Sequence, residues 1–462
     1  MNQTHLLCFD AMAAHIKINE SPPSTSSSSQ PQVEIPQFFI CPISLQIMRD
    51  PVTLISGITY DRDSIDQWLS SPNNKDPKTI LCPVTKQALP MDSDDLMIIM
   101  TPNHTLRRLI QSWCIANASN GVDPIPTPKP PLSKPALLSI LQNLSSSCLE
   151  SRVKSLNTLE MLARENEGNK RCMVGAGVAA SVASIVIECY NGDSIDGLEH
   201  ALNILYLIKV PFYEFNHLMA ENVDFFDSIA WAVQKTSYNC NKESRAHHAV
   251  LIMKSVIEFA SSAQLERLKQ EFFESLKRVL RECLRDQTYD IVTLKAALQV
   301  LLESCGYGQN RVKIIKVGVV HDLIEIELSQ LSGKFSDKRT SELTLGLLEK
   351  LCGCAEGRAE FMAHAAGVAV VSKRILRVSP MVNDLAVRIL SWVCRFSGDG
   401  HDHDEVVQEM VRVGAVSKLC MILEAEGAAS VKEKAREVIR LHSDVWSGSP
   451  CVSSYLLTRY PS

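Results

Sequence analysis

Two segments of this sequence begin with a cysteine, a proline and an apolar residue, at positions 41–43 (Cys-Pro-Ile) and 82–84 (Cys-Pro-Val). Spaced cysteines are typical of zinc domains, but a two-metal domain needs its ligands in Cys-x-x-Cys-like pairs. The third residue after each cysteine is Ser44 or Thr85, so both pairs lack their second ligand. We therefore predict no metal and no cofactor. We expect hydrogen bonds and salt bridges to hold the loops instead, among residues such as Ser44, Asp50, Asp61, Asn103 and Arg107.

Cysteines could also act as nucleophiles that form thioesters. No activating base or oxyanion motif accompanies Cys41, Cys82 or Cys114, so we predict that these three are buried structural thiols. The stretch 401–405 (His-Asp-His-Asp-Glu) has metal-ligand residue types, but it follows a glycine-rich segment. We expect it to be a solvated loop between two helices. The sequence contains no Walker A, dinucleotide-binding or zinc-protease motif.

Turn and helix signals identify the elements that would position the two Cys-Pro loops. Ser56 and Gly57 indicate the turn of a β-hairpin with arms at 52–55 and 58–60. Asp61 is placed to cap a helix that runs to Leu69, and Asn103 to cap a second helix. The second helix has one apolar face, formed by Leu106, Leu109, Ile110, Trp113 and Cys114.

Residues 33–118 resemble the U-box, the metal-free relative of the RING domain. The motifs that carry the resemblance occur in order: Cys-Pro-Ile-Ser from Cys41, Met-x-Asp-Pro-Val from Met48, Gly-x-Thr-Tyr-Asp-Arg from Gly57, Trp-Leu from Trp68, Cys-Pro-x-Thr from Cys82, and Pro-Asn-x-x-Leu-Arg from Pro102. The main departure is a longer loop at 70–81. The resemblance implies a small α+β, RING-like fold without zinc.

This resemblance implies an E3 ubiquitin ligase, which positions an E2 enzyme carrying ubiquitin as a thioester and forms no covalent intermediate itself. The family pattern gives an E2-docking face to Ile43, Leu45, Trp68, Pro83 and Val84. It gives Lys86 the position of the basic residue that bridges E2 and donor ubiquitin, which makes Lys86 the catalytic candidate. The alternatives are that the apolar side chains belong to the domain core and that Lys86 is an ordinary solvated lysine.

The rest of the chain divides by composition. Residues 1–32 form a Ser/Pro-rich leader that we expect to be disordered, because it cannot bury enough apolar surface to fold. Residues 119–132 are a Pro-rich linker, which favours an extended spacer between two domains. Residues 133–446 show helical apolar periodicity almost throughout, and residues 447–462 are a C-terminal tail.

The helical region repeats itself. Four matching segments each contain a turn glycine: Gly177, Gly318, Gly367 and Gly414. These glycines are separated by 141, 49 and 47 residues, and 141 is close to three times 47, so weaker members are expected near residues 224 and 271. About six units of this length resemble armadillo repeats, an all-α solenoid with one continuous core and a concave binding surface. The alternative is an irregular helical domain whose glycine spacing is coincidental.

Charge and composition exclude several classes of function. With 47 Lys and Arg against 52 Asp and Glu the net charge is −5, which gives no indication of a nucleic-acid partner. No run of about 18 uncharged apolar residues exists, so we predict no integral membrane association. Fifteen cysteines, an odd number without dense spacing, favour reduced thiols and a cytoplasmic protein, with a peripheral-membrane or nuclear fraction left open.

Together the two regions resemble a plant U-box–armadillo E3 ubiquitin ligase. The resemblance implies three partners: an E2 enzyme, ubiquitin, and a protein substrate on the concave face of the armadillo repeats. A homo-oligomer formed through the U-box is left open. The competing hypothesis is a non-catalytic armadillo adaptor with a degenerate U-box. Relatives of this kind are associated with stress or defence signalling, and the sequence itself identifies neither the substrate nor the cognate E2.

Overall fold

The computed structural model describes residues 34–69, 81–89, 100–125, 132–146, 148–238, 245–285, 290–333, 335–396 and 401–446. The chain divides into two compact units, residues 1–130 and 131–462, and each has its own hydrophobic core. The predicted leader and C-terminal tail, and most of the 70–81 loop, lie outside the described residues.

The first unit contains a three-stranded antiparallel sheet in the order β2–β1–β3. Strands β1 (Pro51–Leu54) and β2 (Thr59–Asp61) form the predicted hairpin. Gly57 in its turn has a φ of +79°, a conformation that glycine adopts without a steric penalty. Strand β3 (Met100–Pro102) pairs with the other edge of β1 and was not predicted from the sequence.

Two helices complete the first unit: α1 (Arg62–Leu69) and α2 (His104–Ala116). Asn103 caps α2 as predicted, because its side-chain oxygen accepts a hydrogen bond from the Leu106 N–H at 3.0 Å. This bond satisfies one of the free N–H groups of the first turn and defines where α2 begins.

The predicted apolar face of α2 is only partly buried. Ile110 and Cys114 are fully buried in the core of the first unit, whereas Leu109 is 52% exposed. The predicted apolar face of α2 therefore exists, but only part of it contributes to the core.

All regular secondary structure among the described residues of the second unit is helical. Its helices are α3 (Lys134–Leu144), α4 (Leu149–Glu165), α5 (Glu167–Gly175), α6 (Val178–Asn191), α7 (Leu198–Leu207), α8 (Phe212–Glu221), α9 (Phe225–Tyr238), α10 (Arg245–Ile257), α11 (Ser262–Glu266), α12 (Gln270–Arg285), α13 (Ile291–Ser304), α14 (Asn310–Lys316), α15 (Val319–Leu331), α16 (Lys338–Cys352), α17 (Ala355–Ala363), α18 (Gly367–Arg374), α19 (Pro380–Phe396), α20 (His401–Arg412), α21 (Ala415–Glu424), α22 (Ala429–Leu441) and α23 (Ser443–Trp446).

From α5 to α22 these helices form six successive triplets, and the third helix of each packs against its equivalents in the neighbouring triplets. The third helices form a ladder, α4–α7–α10–α13–α16–α19–α22, in which each member packs against the next; we call it the third-helix ladder. The second helices stack in the same way from α6 to α21. One continuous hydrophobic cluster runs from Leu137 to Trp446, as expected for repeats that cover each other's apolar faces.

The turn glycines have the predicted place with one exception. Gly177, Gly318 and Gly414 each precede a second helix with φ between +73° and +77°, a left-handed conformation that favours glycine. Gly367 is instead the first residue of α18, and a Cβ there would lie 2.6 Å from the carbonyl oxygen of Phe361. Position 367 therefore requires glycine because a side chain would not fit there, and not because of its backbone dihedral angles.

The prediction of a loop at 401–405 was wrong, because the structure begins α20 at His401. Within the described residues, no single helix is long and apolar enough to cross a membrane, although the bent pair α5–α6 meets the criteria of length and composition when taken together.

Candidate functional site

The two Cys-Pro loops of the first unit have the same backbone conformation. In loop one (41–46), the Cys41 N–H donates to the Gln46 carbonyl at 2.8 Å and the Leu45 N–H donates to the Cys41 carbonyl at 2.9 Å. In loop two (82–87), the Cys82 and Lys86 N–H groups make the equivalent bonds at 2.8 and 3.0 Å. An isolated antiparallel bridge closes each loop. Two segments distant in sequence therefore present their side chains through one shared geometry.

The fourth residue after each cysteine lies in the left-handed region, with φ of +55° at Leu45 and +57° at Lys86. Residues other than glycine seldom adopt this conformation, and it persists only where the surrounding hydrogen bonds hold it. The result is that a leucine and a lysine occupy corresponding tips of the two loops, with fixed backbone directions.

Hydrogen bonds to the cysteine sulfurs anchor both loops to β2. The Asp61 N–H donates to Cys41 Sγ at 3.3 Å, and Tyr60 Oη lies 3.1 Å from Cys82 Sγ. The Ser56 hydroxyl also donates to Cys82 Sγ, at 3.2 Å. Since Tyr60 and Asp61 are neighbours on β2, the two loops are held at adjacent positions of one strand.

Hydrogen-bond donors lower the pKa of both thiols, although both are fully buried. Burial alone raises the pKa of Cys82, but hydrogen bonds from Ser56, Thr85 and Tyr60 outweigh it and lower the pKa to about 6. Burial also raises the pKa of Cys41. Hydrogen bonds from the N–H groups of residues 43, 44 and 61 outweigh this effect, so the pKa of Cys41 is lowered. The prediction of buried structural thiols is confirmed for these two and for Cys114.

Polar side chains connect the segment that follows loop one, residues 49 and 50, to β2 and to both helices. Asp61 Oδ1 accepts from the Arg49 N–H at 2.7 Å and the Asp50 N–H at 2.9 Å. Asp50 in turn pairs with Arg62 at 2.6 Å and Arg107 at 3.4 Å. Among the described residues, the Asp61 carboxylate therefore binds the backbone just after loop one rather than the first turn of α1, so the predicted helix cap was wrong. Its predicted part in holding this region together was right.

The docking-face residues differ in exposure. Leu45 is 77% exposed, Val84 is 51% exposed and Trp68 is 36% exposed. Ile43 and Pro83 are partly buried, and Ile43 packs against the core. These values contradict the alternative that Leu45 belongs to the core, and they favour a surface role for Val84 and Trp68.

The tip of loop two lies against α1. The Lys86 ammonium is 5.8 Å from the centroid of the Trp68 ring, within the range of a cation–π contact. Loop two itself is tied down by the Val84 N–H, which donates to Tyr60 Oη at 3.3 Å. The structure thus brings together Lys86 and Trp68, which are separated in sequence by the 70–81 loop.

Sequence reasoning missed Tyr60 as a supporting residue of this site. Its side chain is fully buried and contacts loop two through both Cys82 and Val84. The available signal was its position in the hairpin arm directly before Asp61, but nothing in the sequence indicates that its hydroxyl reaches a loop more than twenty residues later.

In the second unit, polar contacts cross the start of the third-helix ladder. Glu160 of α4 binds His200 Nδ1 at 2.6 Å and accepts from Asn203 Nδ2 at 3.1 Å, both on α7. Asn203 Oδ1 lies 2.5 Å from His248 Nδ1 on α10, and Tyr206 stacks on the His248 ring at 4.3 Å. Burial lowers the pKa of His248, which favours the neutral ring. This polar row connects the first three helices of the ladder through hydrogen bonds between their side chains.

Comparisons with known proteins agree with both units. Residues 35–119 match the model of the U-box domain, and residues 137–462 match the model of the plant U-box protein ARM repeat region. The chain is 40% identical over 432 residues to the E3 ubiquitin-protein ligase PUB23 of Arabidopsis thaliana, which covers 93% of this chain and 98% of that relative. It is 38% identical over 460 residues to the E3 ubiquitin-protein ligase PUB22 of the same plant, covering 93% and 99%.

Among solved structures, the chain is similar to a designed armadillo repeat protein at 13% identity, with 66% of this chain and 99% of that chain covered and a TM-score of 0.31. The relatives in sequence and the two family models carry the assignment. This chain belongs to the plant U-box family of E3 ubiquitin-protein ligases that carry armadillo repeats.

Proposed function

We propose that the protein transfers ubiquitin from an E2 enzyme to lysines of a target protein, with the U-box recruiting the E2 and the armadillo repeats selecting the target. The observation that carries this proposal is the pair of matched loops that present Leu45 and Val84 to solvent beside Trp68 and Lys86. Exposed apolar side chains rimmed by polar residues mark an interaction surface, and a tryptophan is a common hot spot.

Catalysis proceeds by positioning, without a ubiquitin thioester on this chain. Cys41, Cys82 and Cys114 are fully buried, and the first two accept hydrogen bonds that hold the loops. A nucleophile must reach the thioester carbonyl, which these thiols cannot do without unfolding the loops. Burial therefore argues against these three thiols as the nucleophile; we assign the reacting cysteine to the E2, as the family resemblance implies, and the rate gain to restricted motion of bound ubiquitin.

Within this scheme Ile43, Leu45, Trp68, Pro83 and Val84 form the E2-docking face. The side chains divide by burial into two kinds. Leu45 and Val84 project into solvent and would be buried by the E2, while Ile43 and Pro83 are already half covered and shape the surface beneath them. Truncation of an exposed member should therefore weaken docking with little effect on folding.

Lys86 has a different role, in transfer more than in docking. Its backbone direction is held by the loop-two hydrogen bonds, and its ammonium lies near the Trp68 ring. A cation–π contact at an exposed site contributes about 0.5–1 kcal/mol, enough to bias the side chain without immobilising it. A positioned cation at the edge of the docking face can donate to acceptors on E2 and ubiquitin at once.

Single-turnover discharge of ubiquitin from a preloaded E2 to free lysine tests this assignment. Lys86→Ala should keep most E2 binding and slow discharge, and Lys86→Arg should match or exceed the wild type because arginine offers a planar fork of donors. Alanine retains a Cβ, so the backbone strain at this position is unchanged. Discharge by Lys86→Ala at the wild-type rate would mean that Lys86 is only a surface charge.

The competing function is a non-catalytic armadillo adaptor. The full chain with E1, E2, ubiquitin and ATP separates the two, because an adaptor makes no ubiquitin chains at any E2 concentration. Target binding to the repeats under either function is supported by exposed side chains on the third-helix ladder, since Met161 on α4 and Tyr206 on α7 are 55% and 41% exposed.

Two finer features of the protein also belong to this proposal. A homo-oligomer through the U-box is supported by exposed Leu109 and Ile115 on α2, and a monomeric mass in light scattering at all concentrations would contradict it. A cytoplasmic location is supported by the fifteen cysteines without disulfide-like spacing, and fluorescence imaging of the tagged chain would test it.

A further inference from the structure

Three side chains with metal-ligand chemistry meet in the repeats, at elements that do not belong to the third-helix ladder. His321 and Glu325 lie one turn apart on α15, and His364 follows the end of α17. One ligand atom from each lies within 4.8 Å of the others. The two imidazole rings are 4.8 Å apart between centroids, and His364 Nε2 is 3.1 Å from Glu325 Oε1.

We propose that His321, Glu325 and His364 bind a zinc ion. Two imidazoles and one carboxylate form the three-ligand set that zinc uses when its fourth position is left to water. Magnesium and calcium prefer oxygen ligands throughout, so the two nitrogens select against them. This site is independent of the proposed ligase activity and lies in the repeats, not in the metal-free U-box loops.

The geometry is close to that of a zinc site but not complete. Ligand bonds of about 2.0–2.1 Å in a tetrahedron place the donor atoms about 3.3 Å apart. The present separations exceed that by about 1.5 Å at most, a distance that side-chain rotation covers. His321 is exposed and the Glu325 side chain is 46% exposed, so both can change rotamer, whereas the His364 side chain is only 11% exposed and sets the position.

The tautomer of His364 determines the strength of binding. Its Nδ1 accepts from the Ala366 N–H at 3.2 Å, so the neutral ring carries its proton on Nε2 and donates it to Glu325. A zinc ion on Nε2 displaces that proton to Nδ1, and the bond with Ala366 is lost. Because zinc must replace the bond with Glu325 and break the bond with Ala366, and because the ligands must move, we expect binding weaker than at a preformed structural site, with micromolar affinity.

Zinc would connect two successive repeats. α15 is the second helix of the fourth triplet, and α17 is the first helix of the fifth. An ion that binds only the folded arrangement stabilises it by mass action. The expected consequence is a higher unfolding temperature of the repeats, with no requirement for zinc in folding or in E2 discharge.

The chain contains a matched control. His217 and Glu221 on α8 have the same one-turn spacing, with Nδ1 and Oε2 at 3.1 Å, but among the described residues they do not belong to a three-ligand group. Both side chains are more than half exposed, so His217→Ala removes an equivalent histidine without the proposed site.

The test is calorimetric titration of zinc chloride into the chelator-treated, full-length protein. We expect wild type to bind one equivalent of zinc with micromolar affinity that His321→Ala and Glu325→Gln do not bind. His217→Ala should still bind this equivalent. Zinc should raise the unfolding temperature of wild type and not of His321→Ala, whose exposed position leaves folding intact. Magnesium chloride should give no heat at micromolar concentration.

Cobalt(II) substitution separates this site from adventitious binding by thiols. Imidazole and carboxylate ligands give visible d–d bands without sulfur charge transfer, and these bands should disappear in His321→Ala. A zinc isotherm of His321→Ala identical to that of wild type, or cobalt spectra that show only thiolate ligands, would overturn the proposal.

Discussion

Leu45→Ala tests the docking face most directly, because Leu45 is the most exposed of its residues. The side chain is 77% exposed, so removing it takes almost nothing from the core. Alanine keeps a Cβ at the left-handed φ of +55°, so the backbone preference of the site is unchanged. We expect the stability of the first unit to change by less than about 0.5 kcal/mol.

The loss in E2 affinity follows from the area that the complex would bury. Leucine to alanine removes three carbon atoms, and each buried methylene contributes about 0.8 kcal/mol. If the E2 covers the side chain, the binding free energy falls by about 2 kcal/mol, which is about 30-fold in Kd. Because docking and not transfer is affected, saturating E2 should restore most of the discharge rate.

Titration calorimetry of the E2 into the full chain measures this, with discharge followed at low and saturating E2. Leu109→Ala is the matched control, since Leu109 is also an exposed leucine of the first unit, at 52%, but lies on α2. Wild-type affinity of Leu45→Ala, or an equal loss in Leu109→Ala, would refute the assigned face.

Three further outcomes follow from the loop anchors. Tyr60→Phe should lower the unfolding free energy of the 1–130 fragment by about 1–2 kcal/mol in urea, because the Val84 N–H and Cys82 Sγ lose a buried partner; an unchanged midpoint would contradict this role. Folding lowers the pKa of Cys82 from 9.0 to about 6, so between pH 6 and 9 the unfolded chain binds more protons than the folded chain. The free energy of unfolding should therefore rise with pH across that window in wild type, and rise less in Cys82→Ser. Parallel pH profiles of the two would show that Cys82 stays a thiol. Strong zinc chelation should leave the circular dichroism of the fragment unchanged, and loss of its signal would contradict a metal-free U-box.

Local features of the sequence determined much of the fold. Asn103 caps α2 because a helix start needs an acceptor within three residues, and that requirement can be read from neighbouring positions. The glycines at 177, 318 and 414 have positive φ because a tight turn needs it wherever the repeat recurs. The absence of paired ligands after Cys41 and Cys82 was likewise visible from spacing alone, whereas the residues of the docking face were predicted from the family resemblance.

Contacts between distant residues were decided only by tertiary structure. Asp61 accepts from the N–H groups of Arg49 and Asp50, twelve and eleven residues before it, instead of capping α1, because the fold brings those donors to the same carboxylate. Glu325 meets His364, 39 residues later, because the repeats stack one helix over another. Sequence patterns specify the direction of a side chain within its own helix or strand, but not which neighbour fills the space opposite. That choice depends on how the elements pack, so exposure of Leu109, the reach of Tyr60 and the histidine cluster became apparent only in three dimensions.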